Sequence, residues 1–340
     1  MHPRLALTNW VSSRLPDGLF ASGMRRNSTL LEQGMIRNTL RLFLLAILMT
    51  TPPALAENLE VQVVTDGVWA LVGPHEQRSA SNLANNATFG AVATGDGVVL
   101  IDAGGSRRGA EEIHAAIGSL TDEPVKFVIN TGGQDHRWLG NGYWKLQGAK
   151  IIASARAVDD QAERQSMQLS MLKQLLGDAL SGTEPSQADI VFEDSYSFEL
   201  GGMTFEIFHP GTAHTPGDSF VWLAAKDTVF AGDIVFVERL LGVLPQSNAK
   251  SWIAAFEAMA ALNPAHVVPG HGHATNMQRA QFDTHDYLVN LREKIAQHIE
   301  DGGDMIGSVG VDQSAFAGLE QFDLLSKRNA QQVYSEMEWE

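Results

Sequence analysis

The sequence of 340 residues contains no cysteine. Disulfide bonds, thiolate metal ligands and cysteine nucleophiles are therefore excluded, and any metal ion must be bound by histidine and carboxylate side chains. Basic residues are also scarce, since 24 Lys and Arg stand against 40 Asp and Glu, for a formal net charge of -16. Nucleic acids and anionic membranes are bound by clustered Lys and Arg, so we expect neither as a partner. The expected ligand is a small-molecule substrate.

Residues 35–56 have the pattern of a secretory signal peptide. Arg37 and Arg41 precede the apolar run 42–49, and a small-x-small cleavage site follows at Ala54-Leu55-Ala56. The run is too short to cross a bilayer, so we expect no stable membrane insertion after cleavage. The mature chain is predicted to be periplasmic or secreted. Residues 1–34 form an N-terminal extension whose origin the pattern leaves open.

Residues 57–305 are predicted to form one domain in which strands and helices alternate, followed by a weakly patterned C-terminal tail at 306–340. A β-hairpin is predicted over 59–72. Further strands are predicted at 87–94, 98–102, 125–129, 150–153, 189–192, 196–200, 203–208, 219–224, 228–231 and 266–268. Helices are predicted at 107–120, 139–148, 157–180, 249–262 and 277–301. The helix at 157–180 has a stripe of Met and Leu that either packs on the body of the protein or forms a flap over a site.

Metal-ligand side chains follow several of the predicted strands. Asp135 and His136 come after the strand at 125–129, His214 lies in GTAHTPGD, Asp233 in FAGD and His271 in VVPGHG. In this order, over about residues 60–300, the segments resemble the metallo-β-lactamase fold family. The resemblance implies an α/β protein, a four-layer αβ/βα sandwich with its metal ligands on loops at one edge of two facing sheets. It also implies that Asp102, in LIDAGGS, supports the backbone near the site.

The family's usual His-x-His-x-Asp-His run is degenerate in this chain, where residues 130–136 read NTGGQDH. Counting back from the Asp-His pair, Thr131 and Gly133 occupy the places of two histidines. The resemblance therefore implies that one of two metal pockets has lost most of its ligands and retains only His214. Gln134 is an alternative ligand if the loop has lost one residue. Arg137 and Trp138, which follow directly, are candidates for the mouth of the site, with packing of the Trp on the helix as the alternative.

The other pocket is complete in the sequence. The resemblance assigns it Asp135, His136 and His271, with Asp233 bridging toward the first pocket. Two imidazoles, a carboxylate and an open position are sufficient for one divalent ion, for which zinc is the first choice and iron or manganese are alternatives.

Such a site predicts an exported bacterial hydrolase that cleaves an ester, lactone, thioester or amide with a metal-activated water. Asp135 and His214 are the candidate catalytic residues. The alternative is a pseudoenzyme of the same fold that binds a small molecule or a partner without turnover. The sequence does not specify the substrate or the oligomeric state.

Overall fold

The computed structural model of the protein describes residues 58–340, so the predicted signal peptide and the N-terminal extension lie outside the described residues. The described strands form two sheets. The first sheet contains, in spatial order, β1 Glu60–Thr65, β2 Val68–Val72, β3 Thr88–Ala93, β4 Val98–Ile101, β5 Val125–Asn130, β6 Lys150–Ser154 and β7 Ile190–Phe192. The second contains β12 His266–Val268, β11 Thr228–Phe230, β10 Phe220–Leu223, β9 Met203–Phe208 and β8 Ser195–Leu200.

Both sheets contain antiparallel and parallel strand pairs. The first is antiparallel from β1 to β4 and parallel from β4 to β7. The second is antiparallel from β8 to β11, and β11 pairs with β12 in parallel. The helices are α1 Arg107–Gly118, α2 Asp135–Trp138, α3 Asn141–Leu146, α4 Ala155–Leu176, α5 Ala249–Ala260, α6 Met277–Ala280, α7 Tyr287–Glu300 and α8 Phe322–Met337, with a π-helical turn at Gln281–Asp286 between α6 and α7.

The first sheet lies between two hydrophobic cores. Because successive side chains of a strand point to opposite faces, Leu100 of β4 packs with Ile113 of α1 and Trp144 of α3. The preceding residue, Val99, belongs instead to the core that separates the two sheets. One face of this sheet is therefore covered by helices and the other by the second sheet.

The second sheet is arranged in the same way. Val221 of β10 faces the first sheet. Val229 of β11 packs on the other side with Trp252 of α5 and Leu291 of α7. Helix, sheet, sheet and helix therefore follow one another as four layers, which confirms the predicted αβ/βα sandwich.

The C-terminal segment differs from its weak sequence pattern. It contains α8, and Ala330 and Val333 of this helix are fully buried in the core beneath the second sheet. Asn329 is buried as well. Its polar atoms are satisfied there, since its amide donates to Leu241 O at 2.8 Å and its Oδ1 accepts from Val243 N at 2.9 Å. A polar residue on the packed face of a helix weakens the apolar periodicity by which helices are recognised. Of the helices in residues 58–340, none has the length and apolar character needed to span a membrane.

Candidate metal centre

Three of the predicted metal ligands, His136, Asp233 and His271, come together at one edge of the two sheets. His136 lies on α2 just after β5, Asp233 on the turn after β11, and His271 after β12. Nε2 of His136 lies 3.4 Å from Oδ2 of Asp233, and Nε2 of His271 lies 3.3 Å from Oδ1. All three residues are buried, and their ligand atoms lie within 4.8 Å of one another. The loops that follow three strands thus form a compact group of two imidazoles and one carboxylate.

Arg137 supports this group from beneath. Its Nε and Nη2 donate to the two oxygens of Asp233, at 3.1 and 2.7 Å. Nη1 donates to Asp102 Oδ2 at 2.8 Å and to Thr88 O at 3.2 Å, and Nη2 also donates to Gly270 O at 2.9 Å. All five N–H groups of the guanidinium therefore have acceptors, which explains how the fully buried charge is tolerated.

The charge of Arg137 determines the ionisation of Asp233. Burial acts to raise the pKa of Asp233, but the charge of Arg137, together with the nearby imidazoles of His136 and His271, outweighs burial and holds the pKa well below its usual range. Burial also lowers the pKa of His271 well below its ordinary value. The centre therefore combines an ionised carboxylate with a neutral imidazole at neutral pH, which is the protonation state a divalent ion requires of its ligands.

Asp135 lies beside this group but is directed toward a different partner. Arg78, on the loop between β2 and β3, donates to Asp135 Oδ1 through Nε at 2.8 Å and through Nη2 at 2.6 Å. Burial acts to raise the pKa of Asp135, but the charge of Arg78, together with the nearby imidazole of His136, outweighs burial and lowers the pKa below its ordinary value. Asp135 Oδ2 is buried and has no hydrogen-bond partner among the described residues.

Arg78 also determines which tautomer of His136 is present. Its Nη2 lies 3.0 Å from His136 Nδ1, and a guanidinium can only donate, so Nδ1 accepts this hydrogen bond. In a neutral ring the proton is then on Nε2, the atom nearest to Asp233. Binding of an ion through Nε2 requires the proton to move to Nδ1, where it faces Asp135 Oδ1 at 3.3 Å, and requires Arg78 Nη2 to withdraw.

His214 lies on the wall of the cavity above the centre rather than within the group of three. Its Nδ1 donates to Gly242 O at 2.9 Å, so its Nε2 carries a free lone pair in the neutral ring. Burial lowers the pKa of His214 to about 4, although the charge of Asp233 acts in the opposite direction. The ring packs against Phe236 and Trp252, each with a centroid distance of 5.5 Å.

The loop at residues 131–134, where the family's first two histidines would lie, makes contacts with Asp102 and with Asp160 of α4. Thr131 turns toward the sheet, where its backbone N and its Oγ1 both donate to Asp102, at 2.8 Å in each case. These contacts confirm that Asp102 supports the backbone near the site. Gly133 has no room for a side chain, because a Cβ there would overlap with the carboxylate of Asp160 on α4.

Helix α4, whose N-cap is Ser154, forms hydrogen bonds with the rest of this loop. Gln161 Nε2 donates to Gly132 O at 3.1 Å, and Gln168 Nε2 donates to Gly133 O at 2.8 Å. Arg164 forms an ion pair with Asp160 and donates through Nη1 to Gln134 Oε1 at 2.9 Å. The amide oxygen of Gln134 is therefore engaged by an arginine. Polar side chains of α4 therefore surround the loop segment at which the resemblance places the first pocket.

The residues present fit one divalent ion. The donors of His136, Asp233 and His271 are of the type that zinc and iron accept, and His136 Nε2 is buried without a hydrogen-bond partner among the described residues. Asp135 can join them only if its carboxylate turns from Arg78. The sequence reasoning did not assign roles to Arg78, Asp160 or Arg164. Only the i,i+4 spacing of the last two, typical of an ion pair on a helix, was visible in the sequence.

The fold and the centre together define a family. A family model described as the metallo-beta-lactamase superfamily matches residues 84–271, more than half of the chain, and the protein belongs to this superfamily. Membership suggests a metal-dependent hydrolase.

Individual relatives are distant. The chain is 24% identical over 198 residues to a metallo-beta-lactamase type 2 of Elizabethkingia meningoseptica, covering 57% of this chain and 71% of the relative. Among solved structures, a metallo-beta-lactamase from Pontibacter korlensis matches with a TM-score of 0.56 and 23% identity, over 68% of this chain and 99% of that one. TMB-1 matches with a TM-score of 0.50 and 20% identity, over 66% of this chain and 95% of that one. At these identities the structural matches demonstrate the fold alone.

Proposed function

We propose that the protein is a metal-dependent hydrolase that uses a single divalent ion, with zinc as the first choice, to cleave a small carbonyl substrate of the ester, lactone, thioester or amide class. The observation that carries the proposal is the buried group of His136, Asp233 and His271, whose ligand atoms lie within 4.8 Å of one another while His136 Nε2 has no hydrogen-bond partner among the described residues. An ion held there would supply an activated water and polarise the carbonyl oxygen.

The side chains around the centre provide the proton transfers that hydrolysis needs. Addition of water to the carbonyl carbon releases one proton, and the leaving group must gain one when its bond to that carbon breaks. His214 presents an unprotonated Nε2 because its Nδ1 donates to Gly242 O. Asp135 also lines the cavity, and its buried Oδ2 has no hydrogen-bond partner among the described residues. We assign the acceptance and return of this proton to these two residues.

Metal analysis tests the proposal directly. After dialysis, the protein should contain about one divalent ion per chain, and His271→Ala should abolish binding. His266→Ala is a matched control, because His266 lies at the start of β12, five residues away, and belongs to neither of the two groups of described His and carboxylate residues whose ligand atoms lie within 4.8 Å of one another. A panel of esters, lactones, thioesters and amides should then reveal turnover that His271→Ala lacks. Metal-free protein under all loading conditions would refute the proposal.

A second candidate function is binding without turnover. It is favoured by Arg78, which engages both Asp135 and His136 and so opposes the binding of an ion. If the protein binds a small molecule but neither retains an ion nor acts on any member of the panel, the pseudoenzyme is the better description.

We further propose that the mature protein is periplasmic or secreted, on the basis of the signal-peptide pattern at residues 35–56. Intact-mass measurement on protein from the native host should give a chain that begins at Glu57. A cytosolic chain that retains residues 35–56 would contradict export.

A further inference from the structure

A cavity of about 570 Å³ opens above the candidate metal centre and has two chemically different ends. At the inner end, His136 and His271 form part of its floor. At the outer end, apolar side chains from α4 and α8 form its walls. These are Met167, Met171, Leu175 and Leu324, all of them exposed. Large apolar side chains left exposed along one cavity indicate a binding surface for an apolar group.

The charge of the cavity is opposite to that of the chain. The protein has a formal net charge of -16, yet the residues lining the cavity include four arginines and a single acid, Asp135. Two of the arginines are neutralised, Arg78 by Asp135 and Arg164 by Asp160. The side chains of the other two, Arg239 and Arg328, form no ion pair with any residue in the range 58–340. Positive charge therefore accumulates in a concave site on an acidic protein.

Arg239 is the most informative of these residues. Its side chain is only 5% exposed, and its sole side-chain hydrogen-bond contact among the described residues is from Nη1 to His271 Nδ1, at 3.4 Å. Its Nε is buried without any partner in the described part of the chain. Burial and, to a smaller extent, the nearby charge of Arg78 lower the pKa of Arg239 to about 10, which leaves the guanidinium charged at neutral pH. A buried guanidinium without a carboxylate is unfavourable unless a ligand supplies the negative charge.

We propose that this cavity binds an amphiphilic anion, with a carboxylate, sulfate or phosphate head group at Arg239 and an apolar body along the exposed side chains of α4 and α8. A planar guanidinium with free N–H groups suits the oxygens of all three head groups. The head group lies next to the candidate metal centre. As a statement about substrate the proposal rests on the proposed hydrolase function, whereas as a statement about binding it does not.

Isothermal titration calorimetry on the full-length protein, with its metal content measured, tests the binding. The probes are octanoate, octyl sulfate and octyl phosphate, which share an apolar chain and differ in the anionic group, with octanol and octyltrimethylammonium as the neutral and cationic comparisons. We expect at least one anionic probe to bind about tenfold more tightly than both comparisons, and its affinity to fall with added salt. Which anion binds best identifies the head group.

Variants locate the interaction. Arg239→Gln should weaken binding of the preferred anion by about tenfold, and Arg239→Lys, which keeps the charge but loses the planar fork, should have an intermediate affinity. Arg108→Gln removes an exposed arginine at the start of α1 that does not line the cavity, and should leave affinity unchanged. If Arg239→Gln does not fold, the order of the five probes and the salt dependence on the wild-type protein still decide the question.

Two results would overturn the proposal. One is equal affinity for octanol and for the anionic probes, and the other is a folded Arg239→Gln variant that binds the anions as the wild type does. Because calorimetry needs no turnover, a protein that binds the anions but hydrolyses nothing would refute the hydrolase and leave this inference intact. A protein that hydrolyses neutral esters without any preference for anions would do the reverse.

Discussion

Arg78 donates two hydrogen bonds to one oxygen of Asp135, through Nε at 2.8 Å and Nη2 at 2.6 Å, and the other oxygen has no hydrogen-bond partner within residues 58–340. The same Nη2 contacts His136 Nδ1. One arginine thus contacts two predicted metal ligands. A divalent ion bound by these side chains would have to compete with Arg78 for them.

We expect Arg78→Gln to raise the affinity for a divalent ion by about tenfold, or about 1.4 kcal/mol. The change removes a positive charge near the ion and frees His136 Nδ1 to carry its proton. Competition with a fluorescent zinc chelator measures the dissociation constant. Arg108→Gln, at an exposed position that does not line the cavity, controls for loss of charge. Unchanged or weaker binding would mean that Arg78 orients the ligands instead of competing with the ion.

Arg137→Met should lower the free energy of unfolding by about 3–5 kcal/mol, because it leaves Asp102 and Asp233 buried without their counter-charge. Urea denaturation of the metal-free protein gives this value. The control is Lys145→Met, which removes a half-exposed ion pair with Asp189 and should cost less than about 1 kcal/mol. Similar losses for the two variants would contradict the central role of Arg137.

Histidines placed at the two vacant positions of the loop should not create a second metal site. The sequence count alone predicts that Thr131→His with Gly133→His would complete a pocket with His214. In the structure Asp160 fills the space beside Gly133, so we expect one ion per chain as before and a loss of about 1–3 kcal/mol from overpacking. Elemental analysis and urea denaturation measure both. Gly118→His, where nothing lies within 4 Å of an added Cβ, is the control, and a stoichiometry of two would refute the expectation.

The stability of the metal-free protein should decrease as the pH falls from about 6.5 to about 4. Burial lowers the pKa of His214 to about 4, so below pH 6.5 the unfolded chain takes up a proton that the folded protein excludes. This histidine alone accounts for up to about 3 kcal/mol across that window. His214→Asn should reduce the dependence of the unfolding free energy on pH. Phe236→Leu, which alters the ring that packs on His214, should lower stability equally at both pH values.

Strong periodicity made most of the fold predictable. The buried strand expected at 125–129 is Val125–Asn130, and the helix expected at 249–262 is Ala249–Ala260. The helix expected at 277–301 is interrupted by the π-helical turn Gln281–Asp286, where Thr284 Oγ1 donates to Phe236 O at 2.6 Å. A contact between residues 48 positions apart is invisible to a local pattern.

The candidate site was predictable only for residues whose chemistry is recognisable in isolation. His136, Asp233 and His271 are metal-ligand types near strand ends, and the fold brings them together. The sequence places Arg137 at the mouth of the site, whereas the structure buries it completely, because distant strands contribute the acceptors for its N–H groups. The close approach of the Asp160 carboxylate to Gly133 could not be foreseen, because it depends on where α4 lies relative to the loop.

The five hydrogen bonds of Arg137 join β3, the end of β4, and the turns after β11 and β12. The side chains of the candidate centre are therefore held in place by the protein itself. Small zinc domains gain their structure from the metal. The ion that we propose would instead bind a protein that has already folded, and its loading would be a late and reversible event governed by the supply of metal where the finished protein resides.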